Sequence, residues 1–374
     1  MTTILVTGGA GFIGSHLVDA LIERGDAVTV FDNLEPQVHG ESGAPPAYLN
    51  PNARFIKGDV CDGEALKDVI AGHEVIFHQA ARVGVGQSMY QIARYMETNT
   101  QGTANLFDIV VNNYKDTIKK IVVASSMSIY GEGLYICSSC GDIVAGLRSD
   151  DQMAKGHWEQ ICPLCGKDVK PSQTPESKPL DATSVYALSK KDQEELTLML
   201  GKNYGIPTVA LRYFNVYGPR QALSNPYTGV CAIFSARLKN DNPPIIYEDG
   251  LQSRDFVSVY DIVAANILAM EKDEANYQSF NIGTGKATTI LDIANVLARL
   301  YGKTITPLIE RKYRAGDIRH CVADITKAKK ILGYTPRVRF EKGMEDLVAW
   351  GKEAEAVDTV EDAIAELKER GLSK

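Results

Sequence analysis

With 374 residues, 44% hydrophobic and 23% charged, the chain has the composition of an ordinary globular protein, long enough for one large or two medium domains. A net charge of −7 argues against nucleic acid as the main partner. No apolar run approaches the ~18 residues of a membrane span. Met1-Thr2-Thr3-Ile4 puts no basic stretch before an apolar one, so a cytoplasmic protein is expected.

In chain order, Ile4-Leu5-Val6 reads as a strand, and Thr7-Gly8-Gly9-Ala10-Gly11-Phe12-Ile13-Gly14 follows it. Leu17, Leu21 and Ile22 then mark the apolar face of a helix. Strand, glycine turn and helix form the context in which such glycines admit a dinucleotide pyrophosphate to a helix N-terminus. A second strand, Ala27 to Phe31, ends in Asp32, eighteen residues after Gly14, where a carboxylate should meet the ribose hydroxyls of NAD. Asn33, Leu34 and Glu35 follow without a cation for a 2′-phosphate, which favours NAD over NADP.

Further strand-and-helix units follow. Arg54-Phe55-Ile56 leads to Asp59-Val60, Val75-Ile76-Phe77 to His78-Gln79-Ala80-Ala81, and Ile121 to Ala124 leads to Ser125-Ser126. This alternation predicts a doubly wound parallel sheet whose ligands bind at the carboxyl ends of the strands, where Asp59, Ala80 and Ser126 stand. His78 reads as a structural side chain.

Cys137-Ser138-Ser139-Cys140-Gly141 and Cys162-Pro163-Leu164-Cys165-Gly166 come next, with twenty-one residues between the pairs. Two such turns predict a structural zinc on Cys137, Cys140, Cys162 and Cys165, with no open ligand position; a redox pair is the alternative. Residues 134–173 are read as an inserted knuckle without a basic face.

Tyr186 and Lys190 stand four residues apart and share one face of a predicted helix. A fixed ammonium nearby favours the phenolate, so Tyr186 could act as a general base. A hydroxyl at Ser126 could relay its proton. Beyond the strand Pro207 to Arg212 the alternation becomes irregular, and a smaller substrate-binding lobe is expected over 213–350, with some segments returning to the nucleotide-binding domain of residues 1–212. Arg254 and Arg314 are candidate phosphate ligands. Val357, Val360, Ile364 and Leu367 predict an amphipathic helix within 351–374.

Taken together, these motifs resemble the extended short-chain dehydrogenase/reductase family, specifically its nucleotide-sugar epimerases and dehydratases, over about residues 3 to 350. The resemblance rests on the glycine turn, Asp32-Asn33, Asp59-Val60, Ser125-Ser126, Tyr186 with Lys190, Arg212-Tyr213-Phe214-Asn215-Val216-Tyr217-Gly218-Pro219, Arg254-Asp255-Phe256-Val257 and Arg314-Ala315-Gly316-Asp317. It implies a Rossmann-type fold with a mixed α/β substrate lobe and a catalytic set of Ser126, Tyr186 and Lys190. The implied NAD site comprises Gly8, Gly11, Phe12, Ile13, Gly14, Asp32, Asn33, Asp59, Val60, Gln79, Ala80, Ala81, Asn99 and Tyr213, with Tyr186 and Lys190. The implied substrate residues are Gln87, Ser126, Ser128, Asn215, Arg254, Arg314 and Asp317. A nucleotide-sugar substrate and a homodimer, formed through the tyrosine-bearing helix, are implied as partners.

Within that family, 4,6-dehydratases carry an Asp-Glu pair straight after the catalytic hydroxyl, where Met127 and Ser128 stand here. Nucleotide-sugar decarboxylases carry a Glu in place of Ser128. What remains is the epimerase set. Tyr186 would deprotonate a sugar hydroxyl at C4, hydride would pass to NAD+, and the 4-keto sugar would turn about a diphosphate held by Arg254 and Arg314. Hydride would then return to the other face. The loop Val85-Gly86-Gln87-Ser88-Met89-Tyr90 and the cysteine insert are most similar to the bacterial dTDP-L-rhamnose 4-epimerase group; UDP-glucose, UDP-N-acetylglucosamine and UDP-glucuronate epimerases are the alternatives. An NAD-binding sensor without turnover would be expected to lack part of the catalytic set, and a net oxidoreductase would consume its cofactor.

Overall fold

The computed structural model describes residues 1–314 and 316–373. Ala315, inside the Arg314 to Asp317 motif, lies outside the described residues. Seven strands form one sheet in the order Gln278–Ile282, Thr208–Tyr213, Lys120–Ser126, Val75–His78, Thr3–Thr7, Ala27–Asp32 and Arg54–Lys57. Every pairing in it is parallel. Parallel sheets are covered on both faces by crossover helices, which is why strands such as Ile4-Leu5-Val6 and Ile121-Val122-Val123 are continuous apolar runs. Their side chains are buried in two clusters, one on each side of the sheet.

From Thr3–Thr7 the chain moves outward through Ala27–Asp32 to Arg54–Lys57. It then returns to the other flank with Val75–His78. The strand order reverses there, and a crevice opens at the carboxyl ends of Thr3–Thr7 and Val75–His78, the usual place for a ligand in such a sheet. Strand Gln278–Ile282 comes from the later part of the chain and completes the far edge.

The smaller part contains a six-stranded sheet ordered Thr288–Thr289, Ser253–Arg254, His320–Ala323, Lys170–Thr174, Leu134–Cys137 and Gly141–Val144. The cysteine-bearing insert therefore pairs with strands near the predicted substrate residues and adds nothing to the large parallel sheet. Its register is fixed by Val322 opposite Gln173 and Ala323 opposite Thr174. These short strands meet across about 150 residues of chain, a pairing that local periodicity cannot announce.

The C-terminal helix Val360–Glu369 folds back over the loop around Gly86. Glu366 accepts hydrogen bonds from Tyr90 (2.8 Å) and Tyr227 (2.7 Å), and Ser373 forms an isolated antiparallel bridge with Arg314. Among the described residues, no helix is long and apolar enough to cross a membrane.

Candidate active site

The glycine turn is shaped by contact. A Cβ on Gly14 would lie 2.2 Å from Gly8 O, and one on Gly8 would lie 2.6 Å from Ala80 N. Helix Phe12–Glu23 therefore packs directly on the turn, and its N-cap, Gly11, contributes no side-chain cap. The first amides of the helix remain available to an anion. Gly11 is different, since a Cβ there would meet only Gly8 O, at 3.3 Å, and would protrude into the open crevice. Such a turn could hold a pyrophosphate, and the residues present fit NAD.

Asp32 closes the other side. Its two oxygens accept from Ala10 N (3.0 Å) and Leu34 N (2.9 Å), which ties the strand end to the glycine turn. Asp59 takes Asn33 Nδ2 (2.8 Å) and Cys61 N (2.9 Å). One cavity is lined by Gly8, Gly11, Phe12, Ile13, Gly14, Asp32, Asn33, Asp59, Val60, Gln79, Ala80, Ala81, Gln87, Ser126, Tyr186, Lys190 and Tyr213. Asn99 stands behind that wall, fully buried, where it holds both backbone groups of Arg82 (2.8 and 3.1 Å) and Ser189 Oγ (2.9 Å). Ser128, Asn215, Arg254, Arg314 and Asp317 do not line this cavity. Arg254 donates to the carbonyls of Ser253, Arg319 and Ile318, and Arg314 Nε donates to Asp317 Oδ2 at 2.9 Å.

Tyr186 and Lys190 lie in helix Val185–Tyr204. Ser184 caps it by accepting from Ala187 N, and left-handed Gly205 ends it. Ser126 ends the neighbouring strand Lys120–Ser126 and accepts from Ser128 N (3.2 Å) and Ser128 Oγ (2.9 Å). The spacing predicts an ammonium near Tyr186, and the fold fixes that ammonium by two neutral acceptors. Lys190 Nζ donates to Ala124 O (2.7 Å) and Gln193 Oε1 (2.8 Å), and burial lowers its pKa to about 7. Burial raises the Tyr186 pKa, and the hydrogen bond with Ser126 opposes that rise. Desolvation is thus the largest influence on both groups.

His78 is structural, as its position predicts. Thr103 Oγ1 donates to Asn99 O (2.6 Å), so it accepts from His78 Nε2–H (3.1 Å), and Thr7 Oγ1 donates to Nδ1 (2.8 Å). Burial lowers its pKa from 6.5 to about 3, so the ring stays neutral in the fold. A depressed folded pKa gives stability that is present above pH 6.5 and lost as pH falls toward about 3. Acid unfolding followed by circular dichroism should show a shallower loss over that window for His78→Gln than for the wild type.

The cavity also takes in Glu35, Gln37, Arg82, Gln221, Asn225 and Thr228, to which the sequence assigns no role. Gln37 bridges Gln87 (3.2 Å) and Asn225 (2.9 Å), while Arg82 pairs with Glu35 at 2.6 Å. Neutral amides separated by up to 188 positions carry no sequence signal of their contact.

A dinucleotide cradle that shares one cavity with a serine, a tyrosine and a lysine defines a nicotinamide-dependent enzyme of the short-chain dehydrogenase/reductase type. Residues 4–283 match the NAD dependent epimerase/dehydratase family, and the chain belongs to it. It is similar to the dTDP-L-rhamnose 4-epimerase of Burkholderia thailandensis, with 35% identity over 93% of this chain and 94% of that protein. The UDP-glucose 4-epimerase of Thermotoga maritima, solved with UDP-glucose, is 34% identical with a TM-score of 0.76, covering 94% of this chain and 99% of that one. The UDP-glucuronic acid 4-epimerase of Bacillus cereus, solved with its substrate and NAD, is 28% identical with a TM-score of 0.75 over 94% of this chain and 99% of that one.

Proposed function

We propose that this enzyme inverts C4 of a neutral nucleotide-linked sugar, with dTDP-L-rhamnose as the favoured substrate. The observation that carries the reading is the stretch of residues 216–228 that shares the cavity with Ser126 and Tyr186. Val216, Gln221, Ala222, Asn225 and Thr228 line it without charge, and Arg82 is paired with Glu35. A uronate would call for an unpaired cation there. The 35% identity to the Burkholderia enzyme, beside 34% to the Thermotoga UDP-glucose 4-epimerase, supports a nucleotide-sugar 4-epimerase, and the loop Val85 to Tyr90 with the cysteine insert is the ground for favouring the deoxysugar.

Tyr186 and Ser126 would meet the C4 hydroxyl, Tyr186 as the base and Ser126 as the hydroxyl that bridges the proton. When bound, NAD supplies the hydride acceptor and donor, held by the glycine turn, Asp32 and Asp59. Lys190 holds the helix against Ala124 O from inside. Arg254 and Arg314, the latter braced by Asp317, would retain the diphosphate while the sugar turns, and Asn215, whose Oδ1 is buried without a partner, would accept from a neighbouring group of the substrate. Met127 and Ser128 supply neither the acid nor the base that a water-eliminating enzyme needs.

The test is a product assay by NMR on dTDP-L-rhamnose, UDP-glucose, UDP-N-acetylglucosamine and UDP-glucuronate, with and without added NAD+. A C4 epimer of dTDP-L-rhamnose with unchanged NAD is the expected result. Conversion of UDP-glucuronate alone would defeat the neutral-sugar reading, and NAD consumed in step with product would defeat the epimerase reading.

We infer further that the four cysteines hold zinc. Their sulfurs lie within 4.8 Å of one another, and Cys137 and Cys165 sulfurs are 3.5 Å apart. Zn–S bonds of about 2.3 Å in a tetrahedron need edges of about 3.8 Å. Gly141 and Gly166 follow the pairs with φ of +78° and +73°, the left-handed turn that favours glycine. Metal analysis should find about one zinc per chain, lost in Cys140→Ser with Cys165→Ser; a metal-free wild type would exclude it. A homodimer through the tyrosine helix is also proposed, on the exposed apolar side chains Leu188, Met199 and Ile92. A monomer in light scattering would contradict it. We also propose a nucleotide-binding domain of 1–212, from which the insert 134–173 joins the smaller sheet, a substrate domain mainly over 213–350, from which Gln278–Ile282 returns to the large sheet, and a cytoplasmic enzyme.

A further inference from the structure

The cysteine-bearing insert sends three side chains inward. Arg148 is buried completely at its side chain, and its guanidinium donates to both oxygens of Glu248 (2.9 and 2.8 Å), to Trp158 O (2.9 Å) and to Asp317 O (3.2 Å). Glu159 Oε1 accepts from Arg319 Nε (3.0 Å) and Nη2 (2.6 Å), and its Oε2 meets His320 Nε2 at 3.1 Å. The Trp158 ring packs on Tyr313, with centroids 6.4 Å apart.

These contacts converge on the backbone that carries the two candidate phosphate arginines. Arg254 donates to the carbonyls of Arg319 (2.8 Å) and Ile318 (2.6 Å). Arg314 directly follows Tyr313 and lies over the Tyr247 ring at 4.7 Å, beside Glu248. The insert's hairpin also continues the sheet that contains Ser253–Arg254. An apolar core of the same volume could be as stable as these buried ion pairs; what directional, bidentate bonds add is orientation.

We propose that the insert is a positioning device for the substrate's diphosphate. Arg148 and Glu159 fix Asp317, Arg319 and His320, and so the aim of Arg254 and Arg314, while the cysteine cluster keeps the insert in one shape. Arg148 and Glu159 are positioning residues and touch no substrate. The proposal rests on the reading that Arg254 and Arg314 receive the diphosphate.

The experiment is calorimetric titration of dTDP and UDP into the wild type, the wild type stripped of metal by a chelator, Arg148→Met, Arg148→Lys and Glu159→Gln. NAD content and circular dichroism are recorded for each, with KM and kcat on the converted sugar. Misaimed tethering groups should weaken nucleotide binding and raise KM by about tenfold or more in Arg148→Met, Glu159→Gln and the stripped enzyme, with kcat and NAD content nearly kept. Arg148→Lys should recover part of the affinity. Glu159 is half-exposed, so its variant decides the matter should Arg148→Met not fold. Wild-type nucleotide affinity in folded Glu159→Gln would overturn the proposal. Failure of the wild type to bind either nucleotide would overturn the reading of Arg254 and Arg314, and the proposal with it.

Discussion

Tyr186→Phe should lower turnover by about 10²–10⁴-fold, the usual contribution of a positioned acid–base group, while NAD content and unfolding midpoint stay near wild type. The substitution removes one oxygen. The ring's edge contact with Tyr95, at 6.4 Å and 85°, survives it, and so does the bond from Tyr186 N to Ser88 Oγ (3.0 Å), which uses only the backbone of Tyr186. Activity and fold are therefore separable at this position. In the wild type, kcat should rise with pH as the phenol, raised by burial, gives up its proton. Stopped turnover with intact NAD identifies the base; an active Tyr186→Phe would send the search to another proton acceptor in the cavity.

Glu194→Ala should cost about 3–5 kcal/mol of stability, the range for breaking a buried ion pair from one side. Glu194 sits one turn beyond Lys190. Its carboxylate takes Arg212 Nε on both oxygens (3.0 Å each), Arg212 Nη2 (2.5 Å) and Ser125 Oγ (2.6 Å). Removing it leaves the Arg212 cation buried with Tyr130 Oη and Glu176 O as remaining partners. On the same helix Lys191 and Glu195 form an exposed pair at 3.5 Å, so Glu195→Ala should change stability by no more than about 0.5 kcal/mol. Urea unfolding of the two variants side by side tests the contrast, and equal effects would sink the argument. Because Glu194 fastens the tyrosine helix to two central strands, its loss should also impair catalysis.

The nucleotide half of the molecule was legible because its signals are local. Ile4 to Gly14 places strand, turn and helix in succession, and Asp32 follows at the distance that one crossover demands. Tyr186 and Lys190 share a helical face for the same reason. Spacing says nothing, however, of Ala124 O and Gln193, the neutral acceptors that fix the Lys190 ammonium inside the fold. The insert was legible as a cysteine cluster, but its allegiance was not. Arg148 reads as one of four basic residues in a polar loop, and only the fold reveals it as buried against Glu248, 100 positions away. Gln37, Gln87 and Asn225 were invisible together for the same reason.

The sheet that unites Lys170–Thr174 with His320–Ala323 has a consequence for biosynthesis. The cysteine cluster lies within residues 137–165, so the zinc proposed for it would be captured while the ribosome is still at work on the middle of the chain. Its docking strand cannot be completed until Val322 and Ala323 have been made. Between those moments the nascent chain carries a finished hairpin with an unpaired edge, which invites misassembly. On the zinc reading, early metal capture would fix the turns beside that edge until the partner strand emerges.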